Sequence, residues 1–201
     1  MGDRVNIKKP FIKNGSRTNN KIVSFNFKTI SELDLFWTQA YTLLLMDNSN
    51  YNAQYLITPH DFFLYSRPDT DTFWLNSNVK NKAVTRLITS HALPIDAEVV
   101  RYRKREHGRQ IEYILYENPL KNKSNVYMNV VGDYIFKSNF DKKVNEILEN
   151  KLATLKKLPL QKVDENDIQN ILNMKGDFTF TIVESHVKAE KMKQKLKKYF
   201  K

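Results

Sequence analysis

Arg101, Arg103, Lys104, Arg105 and Arg109 place five cations within nine residues. Cations at this density suit phosphate oxygens, to which Arg and Lys donate charge-assisted hydrogen bonds. An Arg at the tip of a hairpin also fits a narrow minor groove. With no ligand, the same charges would guard an edge strand. Just upstream stand Lys80, Asn81, Lys82, Thr85 and Arg86. If Val79, Ala83, Val84, Leu87 and Ile88 form the apolar face of a helix, these residues are left to its other sides. Asn can read adenine and Arg guanine in a major groove. Asn81 and Arg86 are therefore the candidate base readers, with Lys80 and Lys82 as phosphate contacts.

Residues that would do covalent chemistry are thin. His60, His91, His107 and His186 lie far apart, without the spacing of a metal motif. His60 with Asp61 fits the start of a helix better than a ligand pair. There is no phosphate-cradling glycine loop of the G-x-x-x-x-G-K-[ST] or G-x-G-x-x-G type, and no G-x-S-x-G elbow. Glu149-Asn150-Lys151 has the E-x-K spacing of half a nuclease site, but Pro68-Asp69 is some eighty residues away. The sequence predicts no catalytic residue, no cofactor and no metal site.

The elements that would position the cations come next. Ser77 or Asn78 caps a helix that Pro94 stops. AEVVRYRKR and RQIEYILYE are rich in Val, Ile and Tyr, as strands are. Glu106-His107-Gly108-Arg109 would turn between them, with Gly108 at positive φ. Val99 and Val100 make an apolar base, and the cations crowd the tip.

In the stretch Ser77–Pro119 the sequence resembles the winged-helix replication-initiation proteins (replisome organisers) of phages and plasmids of low-GC Gram-positive bacteria. Those proteins also run from a helix into two strands around a basic, Gly-containing turn. Their second strand closes with an aromatic phrase, here Tyr113-Ile114-Leu115-Tyr116-Glu117-Asn118-Pro119. The resemblance covers Ile30 to Pro119, with His91-Ala92-Leu93-Pro94 where the family has a Gly. It implies a winged helix-turn-helix domain that binds double-stranded DNA in replication initiation on a phage, plasmid or other mobile element. It also implies replication or transfer proteins as further partners. Alternatives are a transcriptional repressor on the same fold, and an inhibitor that meets an acidic protein or nucleoprotein partner.

The whole chain of 201 residues carries a net charge of +11, with a pI of about 9.6. Both point to a polyanion, either nucleic acid or an anionic membrane surface. Hydrophobic residues at 41% and aromatics at 12% are enough for a core. No apolar run reaches the ~20 residues of a membrane span. The basic N-terminus lacks the apolar stretch of a signal peptide, and the chain has no Cys. A cytoplasmic location is the expectation.

Three regions are expected. Residues 1–21 form a basic flexible arm, either a solubilising tail or a contact to DNA. Residues 22–120 form the winged-helix domain. Its first helix, from Thr29 or Ser31 to about Met46, carries Trp37 as a core anchor. Gln54–Ile57 is a short strand that pairs with the wing, and Thr58-Pro59 starts a second helix. Lys121–Asn125 is the linker. Residues 126–201 form a smaller α/β segment. Val126–Phe136 reads as a hairpin broken at Gly132-Asp133, Asp141–Lys157 as an amphipathic helix, and Asp177–Val183 as a strand. A helix beginning at Asp164 is closed by Gly176. A Lys-rich helix follows Glu184; it fits a solvated end, a second nucleic-acid contact or a membrane-surface helix. The predicted class is α+β, mostly helical.

Overall fold

The computed structural model describes residues 20–47, 51–61, 70, 72–74, 76, 83–89, 93–107, 111–116, 125–155 and 165–200. The strands are β1 (Lys21–Phe27), β2 (Ala53–Thr58), β3 (Val84–Thr89), β4 (Ile111–Leu115), β5 (Val126–Val131), β6 (Tyr134–Asn139) and β7 (Phe178–Glu184). The longer helices are α1 (Ile30–Asp47), α2 (Pro94–His107), α3 (Lys142–Thr154), α4 (Glu165–Leu172) and α5 (His186–Lys197). A 3₁₀ turn, Lys198–Phe200, ends the described chain. All seven strands join one mixed sheet in the order β1-β7-β6-β5-β2-β3-β4. β2, β3 and β4 run parallel, and every other pairing is antiparallel.

This architecture overturns the mostly helical winged-helix expectation. The stretch expected as a recognition helix contains strand β3, and the first expected wing strand is helix α2. Val84, Leu87 and Ile88 do sit at helical spacing. Leu87 and Ile88 are buried on opposite faces of a central strand and Val84 is half-buried, however, and such a strand is apolar without alternation. The β-branched residues Val84, Thr85, Ile88 and Thr89 favour the strand. In α2, Ile95, Asp96, Val99, Val100 and Arg103 are the inward residues, which is a helical period. Pro94 opens this helix at its first position, where its missing N–H costs nothing. Asp96 Oδ2 reaches back to accept from the Leu93 backbone N–H at 3.2 Å, the reciprocal half of a capping box.

Other elements follow their local signals. Thr29 Oγ1 accepts from the Glu32 backbone N–H at 3.1 Å and starts α1. Trp37 is buried in the core. Gly132 takes φ of +52° in the two-residue turn between β5 and β6. Asp141 caps α3, accepting from the Lys143 and Val144 backbone N–H groups. Thr58, expected to cap a helix, ends β2; the rest of that expected helix, after Asp61, lies outside the described residues. Gly176 does not close α4, which ends at Leu172. Instead it lies where the chain passes Asp141: a Cβ added at Gly176 would come within 2.8 Å of the Asp141 Cβ.

One sheet face is covered by α1 to α4. There Trp37 and Tyr41 pack with Tyr127, Phe136, Phe140, Phe178 and Phe180. Val99 and Val100 of α2 cover Leu87, Ile111 and Tyr113. Among the described residues, the other face carries α5 and the 3₁₀ turn that follows it. Ala189, Met192, Leu196, Tyr199 and Phe200 pack on Tyr55, Ile57, Ile88, Met128, Val130 and Ile135. Toward β1 and β7 this face turns polar, with Ser24 bonded to Thr181 at 3.0 Å and Thr179 to Asn26 at 3.3 Å.

One continuous sheet thus spans both sides of the linker expected at 121–125. Among the described strands β1 has only β7 as a neighbour, and β2 lies against β5. A fragment of residues 22–120 is therefore expected to lack a cooperative unfolding transition by circular dichroism. A sharp thermal transition in that fragment would show that its strands need no partner. A second test concerns Asp141. Backbone N–H groups of Val144, Asp177 and Lys143 hold its carboxyl below the ordinary value. Its stabilisation is fully present above the ordinary carboxylate range and is lost as pH falls through the lowered folded value. Asp141→Ala should lower stability by about 0.5–2 kcal/mol at neutral pH. The gap from the parent should close in acid urea titrations.

Candidate nucleic-acid interface and a buried polar cluster

Of the ten residues expected to touch DNA, the six that are described do not form one surface. Lys80, Asn81, Lys82 and Arg109 lie outside the described residues. Thr85 is a buried strand residue whose hydroxyl accepts from Gln54 Nε2 at 2.9 Å. Arg86 is on β3, in register with Tyr55 and Glu112 on the flanking strands. Its Nε donates to Glu112 at 2.7 Å and its NH1 to the Tyr55 hydroxyl at 2.9 Å. The Glu112 bond raises the Arg86 pKa further. A guanidinium held this way is not a free major-groove reader.

Arg101, Arg103, Lys104 and Arg105 lie on α2, not on a wing. Arg103 points inward and is 3% exposed. Arg101 pairs with Glu98. Arg105 pairs with Glu106 at 2.9 Å. Lys104 is exposed. One buried ion pair and two local surface pairs thus leave α2 with little uncompensated charge.

Arg103 belongs to a buried cluster at the carboxyl ends of β2, β3 and β4. Its Nε donates to Asp61 Oδ2 at 3.2 Å and its NH2 to Oδ1 at 3.4 Å. The Tyr113 hydroxyl donates to Asp61 Oδ2 at 3.0 Å. It has one proton to give, so at 3.4 Å it accepts from Thr89 Oγ1. Beside this group, His60 Nδ1 lies 3.0 Å from Asp96 Oδ2. The other ring nitrogen, Nε2, lies 3.9 Å from Glu149 Oε1. Glu149 also accepts from Asn145 Nδ2 at 2.9 Å. Burial raises the Tyr113 phenol well above its ordinary value, and Asp61 adds to the shift. Tyr127 is raised likewise by burial, then by Glu149, Asp96 and Asp61. Both phenols stay protonated at neutral pH.

A histidine held by a carboxylate on Nδ1 is the arrangement of a general base. Here the His60 side chain is only 6% exposed, and its second nitrogen faces another carboxylate. The cluster ties the segment after β2 to α2, α3 and β4. Sequence reading assigned His60-Asp61 to a helix start and did not connect them with Asp96, Arg103, Tyr113 or Glu149. The one local signal was two adjacent polar residues separated by one position from the end of β2. Among the described residues, no group of three His, Cys, Asp or Glu side chains is arranged to hold a metal ion.

Among the described residues, exposed positive charge concentrates on α5. Lys188, Lys191, Lys195, Lys197 and Lys198 are exposed. Lys188, Lys191, Lys195 and Lys198 recur at helical spacing along one side. Lys193 is taken by Glu190 at 2.7 Å. Ser185 caps the helix, accepting from the Lys188 backbone N–H at 3.3 Å. Among the described residues no helix is long and apolar enough to cross a membrane.

The Asp61–Arg103 pair gives a direct test of the cluster. Removing one partner leaves a buried charge uncompensated, which costs about 3–5 kcal/mol. Arg103→Ala should lower the urea midpoint accordingly, and Arg103→Met with Asp61→Asn should recover part of the loss. An Arg103→Ala protein as stable as the parent would place Arg103 in water.

No family model matches the chain, and no curated protein matches it. Solved structures similar to the chain at low identity include these two. TrmBL2, an archaeal chromatin protein whose structure is described as showing a novel mode of DNA binding, has a TM-score of 0.42 and 10% identity over 88% of this chain. This chain spans 51% of that protein, about half its length. NucT from Helicobacter pylori has a TM-score of 0.48 and 10% identity, over 90% of this chain and 96% of that one. Likenesses of this size assign the chain to no family.

Proposed function

We propose that this chain binds nucleic acid through the outer side of α5, without a covalent step. The observation that carries this reading is the stripe Lys188, Lys191, Lys195 and Lys198 on a helix anchored by Ala189 and Leu196. Ten residues of helix rise about 15 Å, and duplex DNA carries one charge per ~1.7 Å of axis. Such a stripe can meet several phosphates along one strand. The net charge of +11 supports the same reading. A non-catalytic role is supported by the buried cluster, whose charged groups face one another rather than an open cleft.

Replication initiation, repression and inhibition of an acidic partner are roles that such a binder can serve. The first drew on a helix and wing that the chain does not build. An inhibitor would be displaced from nucleic acid by its protein partner, whereas an initiator or repressor would protect one preferred site.

The test is a titration of labelled DNA at several salt concentrations. Lys191→Gln with Lys195→Gln should weaken binding and reduce the salt slope by roughly 1.8 on duplex, or roughly 1.4 on single strands, at about 0.9 and 0.7 per phosphate. Arg101→Gln with Lys104→Gln, on the opposite sheet face, should change the slope by much less. The probe should remain intact after long incubation with divalent cations. An unchanged slope for the α5 variant overturns the interface, and cleavage of the probe overturns the non-catalytic reading.

A further inference from the structure

At its carboxyl end the lysine stripe runs into a group of aromatic side chains. Tyr116 directly follows β4 and is fixed there, its backbone N–H donating to the Thr89 carbonyl at 2.9 Å. Its ring meets Tyr199 of the 3₁₀ turn edge-on, with centroids 4.6 Å apart. Phe200 meets Tyr55 edge-on at 6.2 Å. The Arg86 guanidinium lies 5.5 Å from the Tyr55 ring centre and 5.7 Å from that of Phe200. Tyr116 is 44% exposed, although it belongs to this packed group. Lys195 and Lys198 are exposed just before Tyr199 in sequence, and Tyr199 brings them next to Tyr116.

We infer that Tyr116, braced by Tyr199, is a stacking platform for an unpaired base, so that the nucleic acid held by α5 is single-stranded. This rests on the reading of α5 as a phosphate-binding helix. The chemistry follows from the two neighbouring features. An aromatic ring stacks on any base whose face is free, and lysines beside it hold the adjoining phosphates. In a duplex both faces of each base are covered by its neighbours in the stack. Arg86 is bound to Glu112 and wedged against Tyr55 and Phe200, so it supports the platform rather than reading a base edge. The major-groove reading had relied on a recognition helix, and none exists at β3.

The experiment compares three probes of equal length at one salt concentration: oligothymidylate, an abasic oligodeoxynucleotide and a duplex. Tyr116→Ala should lose roughly tenfold in affinity for oligothymidylate, the order of one base stack. It should lose nothing on the abasic strand or the duplex, and its thermal unfolding should match the parent. Tyr116→Phe keeps the ring and should bind like the parent. Lys191→Gln with Lys195→Gln should weaken binding to all three probes. Unchanged binding of Tyr116→Ala to oligothymidylate overturns the platform, as does an equal loss on the abasic strand. If the parent protein binds none of the three probes, the nucleic-acid reading fails and takes the platform with it.

Discussion

The ladder between β2 and β5 is the joint on which the fold depends. β2 closes the parallel set with β3 and β4, and β5 opens the antiparallel set with β6, β7 and β1. Gln54, Tyr55, Leu56 and Ile57 pair with Val131, Val130, Asn129 and Met128. On the face toward α5, Tyr55 and Ile57 meet Val130 and Met128, and the helix lies across the joint. On the other face, Leu56 packs against both the α1 core and the α2 core. A shift of one residue in this ladder would turn Gln54 and Thr58 toward α5 and expose the wrong side of every strand. The register is therefore held by burial on both faces.

Two-sided burial also explains which parts of the sequence could be read. β6 and β7, with α3 and α5, have one clear apolar pattern each, and local reading found them. The hairpin turn at Gly132-Asp133 was equally plain. β3 is buried on both faces, so its apolar residues do not alternate, and Val84, Leu87 and Ile88 imitate a helix. α2 shows the reverse confusion. Its inward side includes Asp96 and Arg103, which are polar, so the helical period is invisible to a count of apolar residues. Val99-Val100 and Tyr102 then give it the composition of a strand. Exchanging the two elements produces a helix followed by a hairpin, and with it a resemblance to a winged helix.

The buried cluster was hidden for a different reason. Its contacts join residues 36, 42 and 52 positions apart, and no local motif marks them. A motif scan looks for short spacings between ligands or catalytic groups. A cluster assembled from the ends of three parallel strands and two helices has none. The basic composition was legible at once, but it named only the class of ligand. Arg86 and Arg103 count toward the net charge, yet Glu112 and Asp61 neutralise them inside the fold. These pairs leave the net charge of +11 unchanged, but they take both guanidinium groups out of a partner's reach.

What separates α5 from a basic tail is its footing. A lysine on a disordered segment must be ordered when it binds, and that ordering opposes association. On α5 the backbone is already helical, with Ser185 closing its first turn and Leu196 buried near its end. The apolar part of this sheet face, from β3 to β6, is what the helix covers. Toward β1 and β7, hydroxyl and amide groups of Ser24, Asn26, Thr179 and Thr181 bond one another and need no cover. One helix is therefore enough to complete the core, and its outer side is released from packing. That side carries lysines at helical spacing on a rigid support, ending beside Tyr116 and Tyr199. The arrangement sets phosphate-binding charge and a stacking surface in one line, at a cost in ordering that folding has already met.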